Sequence, residues 1–247
     1  MKSPRVSPTI NVFDGPEDVA RAVAERFVEV AGKAVEESGT FSVALSGGST
    51  PKRIYELLAA DEFRHRVAWR ATHLFFTDER CVPPDHAESN YRMARESLFS
   101  KVDLPEENVH RMHGELEAVE SAKLYEAEMR AFFGDVRWPR FNLMLLGMGD
   151  DGHTASLFPH TDALAESSLW VVANPVGKFD AYRLTLSAPA INDAARIAFV
   201  VTGTSKAERM DDVLNGGHDP QRLPAQMISP VNGTLEWFLD GAAAARL

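Results

Sequence analysis

Phe141-Asn142-Leu143-Met144-Leu145-Leu146-Gly147-Met148-Gly149-Asp150-Asp151-Gly152-His153 decides how the rest of the chain is read. It opens as an apolar run of strand length and passes directly into a glycine-rich polar loop. A short apolar run bounded by turn residues fits a buried strand. The same change of character recurs three times. Phe41 to Leu45 runs into Ser46-Gly47-Gly48-Ser49-Thr50, Thr72 to Thr77 into Asp78-Glu79-Arg80, and Ile197 to Thr202 into Gly203-Thr204-Ser205-Lys206.

Helical stretches separate these strands. Val19, Val23, Phe27, Val30 and Ala34 share one helical face, so residues 16–38 are expected to form an amphipathic helix. Thr50 is expected to cap a helix with Pro51 at its first position. Further helices are expected from Ser89 to Phe99, over 117–133, and from Ser205, where Ser205 and Glu208 have capping-box spacing. Leu169 to Ala173 and Arg183 to Leu186 have strand character. A last strand near Met227, a helix from Thr234, and a helix end at Ala242 to Ala245 are expected to close the chain.

Strands alternating with helices argue for an α/β fold, a largely parallel sheet with helices on both faces. No Pro/Gly/Ser-rich linker interrupts residues 1–247, which implies a single domain. Ligands in such folds bind beyond the carboxyl ends of the strands. All four polar segments lie at such ends, so they are expected to converge on one site.

Composition narrows what that site handles. The net charge is −10, whereas nucleic-acid binders are usually basic. An anionic ligand must therefore be held by a few local cations. No apolar run approaches the ~20 residues of a membrane span. No secretory apolar segment opens the chain, and the lone Cys81 permits no intrachain disulfide; both point to a cytoplasmic protein.

Ser46-Gly47-Gly48-Ser49-Thr50-Pro51 is a tight loop entering a helix. Its glycines allow close backbone approach, and a helix N-terminus favours an anion, although an ordinary strand-to-helix turn has the same composition. Gly147-Met148-Gly149-Asp150-Asp151-Gly152 matches G-x-G-x-x-G as a string. A dinucleotide site also needs a long helix next and an acid ~20 residues on. Here Pro159 stops any helix early, and the strand after it runs into Asn174-Pro175. The loop is better read as aiming Asp151 and His153 at a ligand. Histidine as a residue type titrates near pH 6.5 and can take a proton from water. A structural histidine bonded to its own loop is the competing reading. Asp151 could orient the imidazole or bind a ligand hydroxyl, and Asp150 is read as solvated. His86, His110, His113 and His160 form no zinc-site spacing, so no metal is expected. Arg80, Arg183 and Lys206 are the cations best placed for a phosphate, with Lys206 favoured by its position in a first helical turn. Cys81 beside Arg80 is weighed as a nucleophile and set below a small, partly buried side chain.

These segments in this order resemble the 6-phosphogluconolactonase family, within the wider glucosamine-6-phosphate deaminase-like fold. The resemblance rests on Leu45-Ser46-Gly47-Gly48-Ser49-Thr50-Pro51-Lys52, Thr77-Asp78-Glu79-Arg80-Cys81-Val82-Pro83 and Ser89-Asn90-Tyr91. It continues through Leu145 to Pro159, Arg183-Leu184-Thr185-Leu186 and Gly203-Thr204-Ser205-Lys206-Ala207. It implies a three-layer, Rossmann-like arrangement and hydrolysis of 6-phosphoglucono-δ-lactone to 6-phosphogluconate without a cofactor. It places His153 as the base that activates water, with Asp151 beside it. It places Arg80, Arg183 and Lys206 where the sugar phosphate is held; the Gly47-Gly48 backbone is read as a candidate oxyanion donor, and Ser49, Thr50 and Asp78 are read as further substrate contacts. The oligomeric state is left open between monomer and weak dimer. Two other functions compete: an amino-sugar phosphate deaminase–isomerase, with Asp78 where those enzymes place a base, and a non-catalytic phosphosugar-binding protein.

Overall fold

The computed structural model describes residues 7–247. Its strands and helices run β1 (Thr9–Phe13), α1 (Pro16–Ser38), β2 (Phe41–Leu45), α2 (Ser49–Ala59), α3 (Asp61–Arg64), β3 (Thr72–Phe76), β4 (Asp78–Arg80), α4 (Asn90–Ser97), α5 (Ala118–Phe133), β5 (Leu143–Leu146), β6 (Val171–Val176), β7 (Ala181–Leu186), α6 (Ala188–Asn192), β8 (Arg196–Val201), α7 (Ala207–Leu214) and β9 (Thr234–Asp240).

Every residue of β2 and β5 is buried. Strands covered on both faces read as continuous apolar runs, which is why both were visible in the sequence. They are central in a six-stranded sheet of order β1-β9-β8-β5-β2-β3, and every pairing in it is parallel. Successive side chains alternate between faces. Phe41, Val43, Leu45, Leu143 and Leu145 pack against α1, α2 and α4. Ala44, Met144, Leu146, Phe199 and Trp237 face α5, α6 and α7 on the other side.

From β2 the chain proceeds outward to β3, then returns to place β5 on the opposite side of β2 and continues through β8 to β9. The strand order thus reverses between β2 and β5, where connections leave in opposite directions and open a crevice. The Ser46 and Gly147 loops leave the carboxyl ends of these two strands.

β6 and β7 do not join the parallel sheet. They pair antiparallel with β4 in a separate sheet of order β4-β7-β6. Thr77 makes the transition: its N–H donates to Leu45 O at 2.8 Å, and its carbonyl accepts from Leu186 N at 2.8 Å. Pro175 is accommodated because β6 is an edge strand.

The chain's end departs from expectation. Pro224–Met227 is a 3-10 turn and not a strand, while Thr234–Asp240 is strand β9 and not a helix. Leu235, Trp237 and Leu239 occupy one face of β9, between β1 and β8. Glu236 on the other face is buried, paired with Arg26 at 2.9 Å and Arg196 at 3.2 Å. Ala242 to Ala245 forms turns, with no helix before it. Helix starts also shift. Gly48 caps α2, so Thr50 lies within the first turn and bonds Thr202 Oγ1 at 2.8 Å, and Pro51 is the third residue. The Ser205–Glu208 capping box does not form, because Thr204–Lys206 is a 3-10 turn and α7 starts at Ala207. Thr9–Phe13, unassigned from sequence, pairs with β9.

Candidate active site

Three loops meet over the switch point and line a cavity of about 320 Å³. Ser46 and Gly47 come from the loop after β2, Gly147, Met148, Gly149 and His153 from the loop after β5, and Lys206 from the turn after β8. The small antiparallel sheet supplies Asp78, Arg80 and Arg183, and the N-terminus of α4 supplies Asn90.

The loop after β5 folds back on itself. Gly149 N–H donates to His153 O at 2.9 Å, and Gly152, at φ 83°, donates to Gly149 O at 3.0 Å. His153 Nδ1 lies 2.5 Å from Asp151 Oδ1, and the ring stacks on Phe158 at 4.1 Å between centroids. A Cβ on Gly149 would come within 2.1 Å of that ring, so the dyad needs glycine there. Asp151 Oδ2 accepts from Lys178 Nζ at 3.2 Å. Burial pushes the Asp151 carboxyl up, but hydrogen bonds from His153 and Lys178 outweigh it and hold the group well below the carboxylate range. In a neutral ring the proton that an ionised Asp151 accepts sits on Nδ1, and Nε2 then carries the lone pair. Nε2 has no hydrogen-bond partner among the described residues.

Arg80 and Arg183 are directly opposite each other across β4 and β7. Among the described residues neither pairs with a carboxylate. Arg80 donates to Glu88 O at 2.5 Å, and Arg183 to Tyr182 O at 3.4 Å. Burial and the neighbouring Arg80 charge push the Arg183 guanidinium down. Two adjacent cations with no paired carboxylate have the chemistry that suits an anion. Lys206 also lines the cavity, but its Nζ lies 2.5 Å from Asp150 Oδ1, so Asp150 is paired and not merely solvated.

Glu79 builds this wall. Its buried carboxylate accepts from the N–H groups of Arg80, Asn90 and Tyr91 at 2.8, 2.7 and 2.8 Å, and from Ser89 Oγ at 3.0 Å. Burial pushes the Glu79 carboxyl up, against those three N–H groups, which pull it down. Asn90 Nδ2 then donates to Asp78 O at 2.9 Å and packs on Gly47, where a Cβ would meet the amide at 1.9 Å. Asp78 Oδ2 accepts from Ser156 Oγ at 2.8 Å.

Gly48, Ser49 and Thr50 do not line the cavity. Gly48 and Ser49 face an adjoining groove behind Arg80, and Thr50 is tied to Thr202. Ser46, Asn90, Ser156, Phe158 and Phe179 do line it and were not singled out from sequence. Ser46 Oγ is buried without a hydrogen-bond partner among the described residues. Burial pushes the Cys81 thiol up despite Arg183, which counts against a nucleophilic thiolate. Among the described residues no three His, Cys, Asp or Glu side chains are grouped to hold a metal, and no helix is long and apolar enough to cross a membrane.

Comparison with known proteins places the chain in a family. Residues 14–237 match the family described as glucosamine-6-phosphate isomerases/6-phosphogluconolactonase. The chain is 44% identical over 219 residues to a 6-phosphogluconolactonase of Synechocystis sp., covering 87% of this chain and 88% of that protein. It is 42% identical over 219 residues to one from Nostoc sp., covering 87% and 88%. The solved 6-phosphogluconolactonase of Trypanosoma cruzi superposes with a TM-score of 0.87 at 28% identity, over 100% of this chain and 99% of that one. On sequence and three-dimensional structure together, the chain belongs to the glucosamine-6-phosphate isomerase/6-phosphogluconolactonase family.

Proposed function

We propose that the protein is a carboxylic ester hydrolase that converts 6-phosphoglucono-δ-lactone to 6-phosphogluconate, the lactone-opening step of the oxidative pentose phosphate pathway. One observation carries the reading. A histidine oriented by an ionised carboxylate and a pair of uncompensated arginines line the same cavity. The named relatives act on this lactone, and the cavity offers what it requires.

The lactone is an activated ester, so one positioned base suffices without a covalent nucleophile. His153 Nε2 takes a proton from water as the oxygen adds to the lactone carbonyl. The resulting imidazolium returns that proton to the ring oxygen as the carbon–oxygen bond breaks, and Asp151 stabilises the charge between the two steps. A base of this kind contributes roughly 10²–10⁴ in rate. The Gly47 N–H, which has no protein partner among the described residues, is our oxyanion donor. Arg80 and Arg183 take the phosphate, and Lys206 is secondary because Asp150 already holds it. Phosphate binding far from the carbonyl orients the reacting end. Asp78 and Ser46 are assigned to the sugar hydroxyls.

The test is to give the purified protein freshly generated 6-phosphogluconolactone and, separately, glucosamine 6-phosphate. Hydrolysis of the first above its spontaneous rate is expected. Ammonia release from the second without lactone hydrolysis overturns the reading in favour of a deaminase.

A further inference from the structure

The tip of the β6–β7 hairpin, residues 177–180, belongs neither to the glycine-rich loop nor to the arginine pair, yet it touches both. Lys178 Nζ lies 3.2 Å from Asp151 Oδ2, the oxygen that His153 leaves free. The next side chain, Phe179, lies in the cavity wall although it is 45% exposed. Its ring meets Phe158 edge-on at 5.7 Å and 77°, and Phe158 is the surface on which His153 stacks. The Arg183 guanidinium lies 5.0 Å from the centroid of the same Phe179 ring. The turn places the two side chains by closing tightly: Asp180 takes the left-handed conformation at φ 48°, and its N–H donates to Gly177 O at 3.3 Å.

We propose that this hairpin tip is a positioning element for the lactonase reaction, with Lys178 orienting the base and Phe179 orienting the phosphate-binding arginine. The inference rests on the lactonase reading above. A carboxylate held only through Oδ1 can pivot about its Cβ–Cγ bond and carry Nδ1 with it. Oδ1 takes the ring and the His153 backbone N–H at 3.2 Å; with Lys178 on Oδ2 as well, any pivot breaks contacts at both oxygens at once, so the imidazole keeps its direction toward water. Phe179 acts at the other end. Arg183 has no carboxylate to fix it, and an aromatic ring limits where a guanidinium rests without neutralising it. Lys178 therefore serves turnover and Phe179 serves substrate binding, although they are neighbours in one turn.

Steady-state kinetics of Lys178 and Phe179 variants on the phosphorylated lactone and on unphosphorylated gluconolactone test this. Because the Lys178–Asp151 pair is exposed, Lys178→Met is expected to lower kcat about 2–5-fold with KM unchanged. Lys178→Arg should restore kcat, and Lys178→Glu, which sets two carboxylates against each other, should lower it further. Phe179→Ala is expected to raise KM for the phosphorylated lactone about 2–5-fold. Its effect on kcat, and on either parameter for the unphosphorylated lactone, should be smaller than that rise in KM. A purely structural turn predicts that both variants lose kcat and thermal stability together on both lactones, and that result overturns the proposal. So does full kcat in Lys178→Met, or a rise in its KM, which would make Lys178 a substrate ligand. Absence of lactone hydrolysis by the unsubstituted protein rejects the lactonase reading itself, and is distinguished by requiring no variant.

Discussion

In the proposed mechanism His153 depends on two contacts it does not make with substrate: Asp151 on Nδ1 and Phe158 beneath the ring. His153→Ala is expected to lower kcat by about 10²–10⁴ while KM for the phosphorylated lactone changes little. Initial rates on freshly generated lactone check this, and near-normal turnover excludes His153 as the base. The arginines and Lys206 separate by the same logic. Arg183→Ala removes a cation that no carboxylate pairs with among the described residues, and a hydrogen bond to a charged group is worth about 1.5–3 kcal/mol. KM should therefore rise roughly 10–100-fold. Lys206→Ala should raise KM less, because binding phosphate through Lys206 competes with its contact to Asp150. If Lys206→Ala has the larger effect on KM, the assignment of the phosphate to the arginine pair is wrong. At this scale the sequence disclosed residue types and order; which cation lacked a partner depended on Asp150 and Glu88, whose positions no spacing reveals.

Two elements hold these residues in place, and each depends on one unusual feature. The loop after β5 closes over a glycine: the 2.1 Å approach of a Cβ at Gly149 to the His153 ring leaves no room for alanine. Gly149→Ala must turn the imidazole, and a misplacement of about 1 Å can cost 10²-fold in rate. We expect a loss of about that size in kcat with little change in thermal midpoint. A fully active variant would mean the ring can be repositioned freely. In the opposite wall, the buried Glu79 joins β4 to the N-terminus of α4 through four donors. Glu79→Gln keeps the size but replaces one acceptor oxygen with a donor, leaving buried N–H groups unmatched. Urea unfolding should register about 1–3 kcal/mol of lost stability. The string of glycines was legible because only glycine tolerates such approach. Glu79 was not, because a carboxylate between Asp78 and Arg80 has the appearance of ordinary surface charge.

At the scale of the whole molecule, the reversal of strand order between β2 and β5 creates the crevice, and the small β4-β7-β6 sheet forms one wall of it. Far from the cavity, His73 Nδ1 and His110 Nε2 lie 3.1 Å apart between the edge strand β3 and α5, and His110 Nδ1 meets Glu128 at 2.6 Å. Burial, and then the His110 charge, lower the His73 pKa. The unfolded chain therefore binds a proton at a higher pH than the folded one does. This contribution is complete above the unfolded histidine value near pH 6.5 and is lost as pH falls through the lower folded value. The thermal midpoint is expected to fall from pH 7 to pH 5, and His73→Gln should flatten part of that slope. An unchanged slope in the variant removes His73 as the cause. The sequence by itself determined the α/β class, the buried strands β2, β3, β5 and β8, and the polar loops that follow them, because burial on two faces demands unbroken apolar runs and tight turns demand glycine. It misjudged Thr234–Asp240, whose Glu236 and Asp240 obscure a strand buried between β1 and β8 and supported by Arg26 and Arg196. Only the tertiary structure decided that β4, β6 and β7 form their own antiparallel sheet, that Arg80 comes to face Arg183, and that the turn at Lys178 and Phe179 reaches the dyad. Arg80 and Arg183 are about a hundred residues apart in the chain and Lys178 is 27 from Asp151, contacts between separate elements that local periodicity cannot encode.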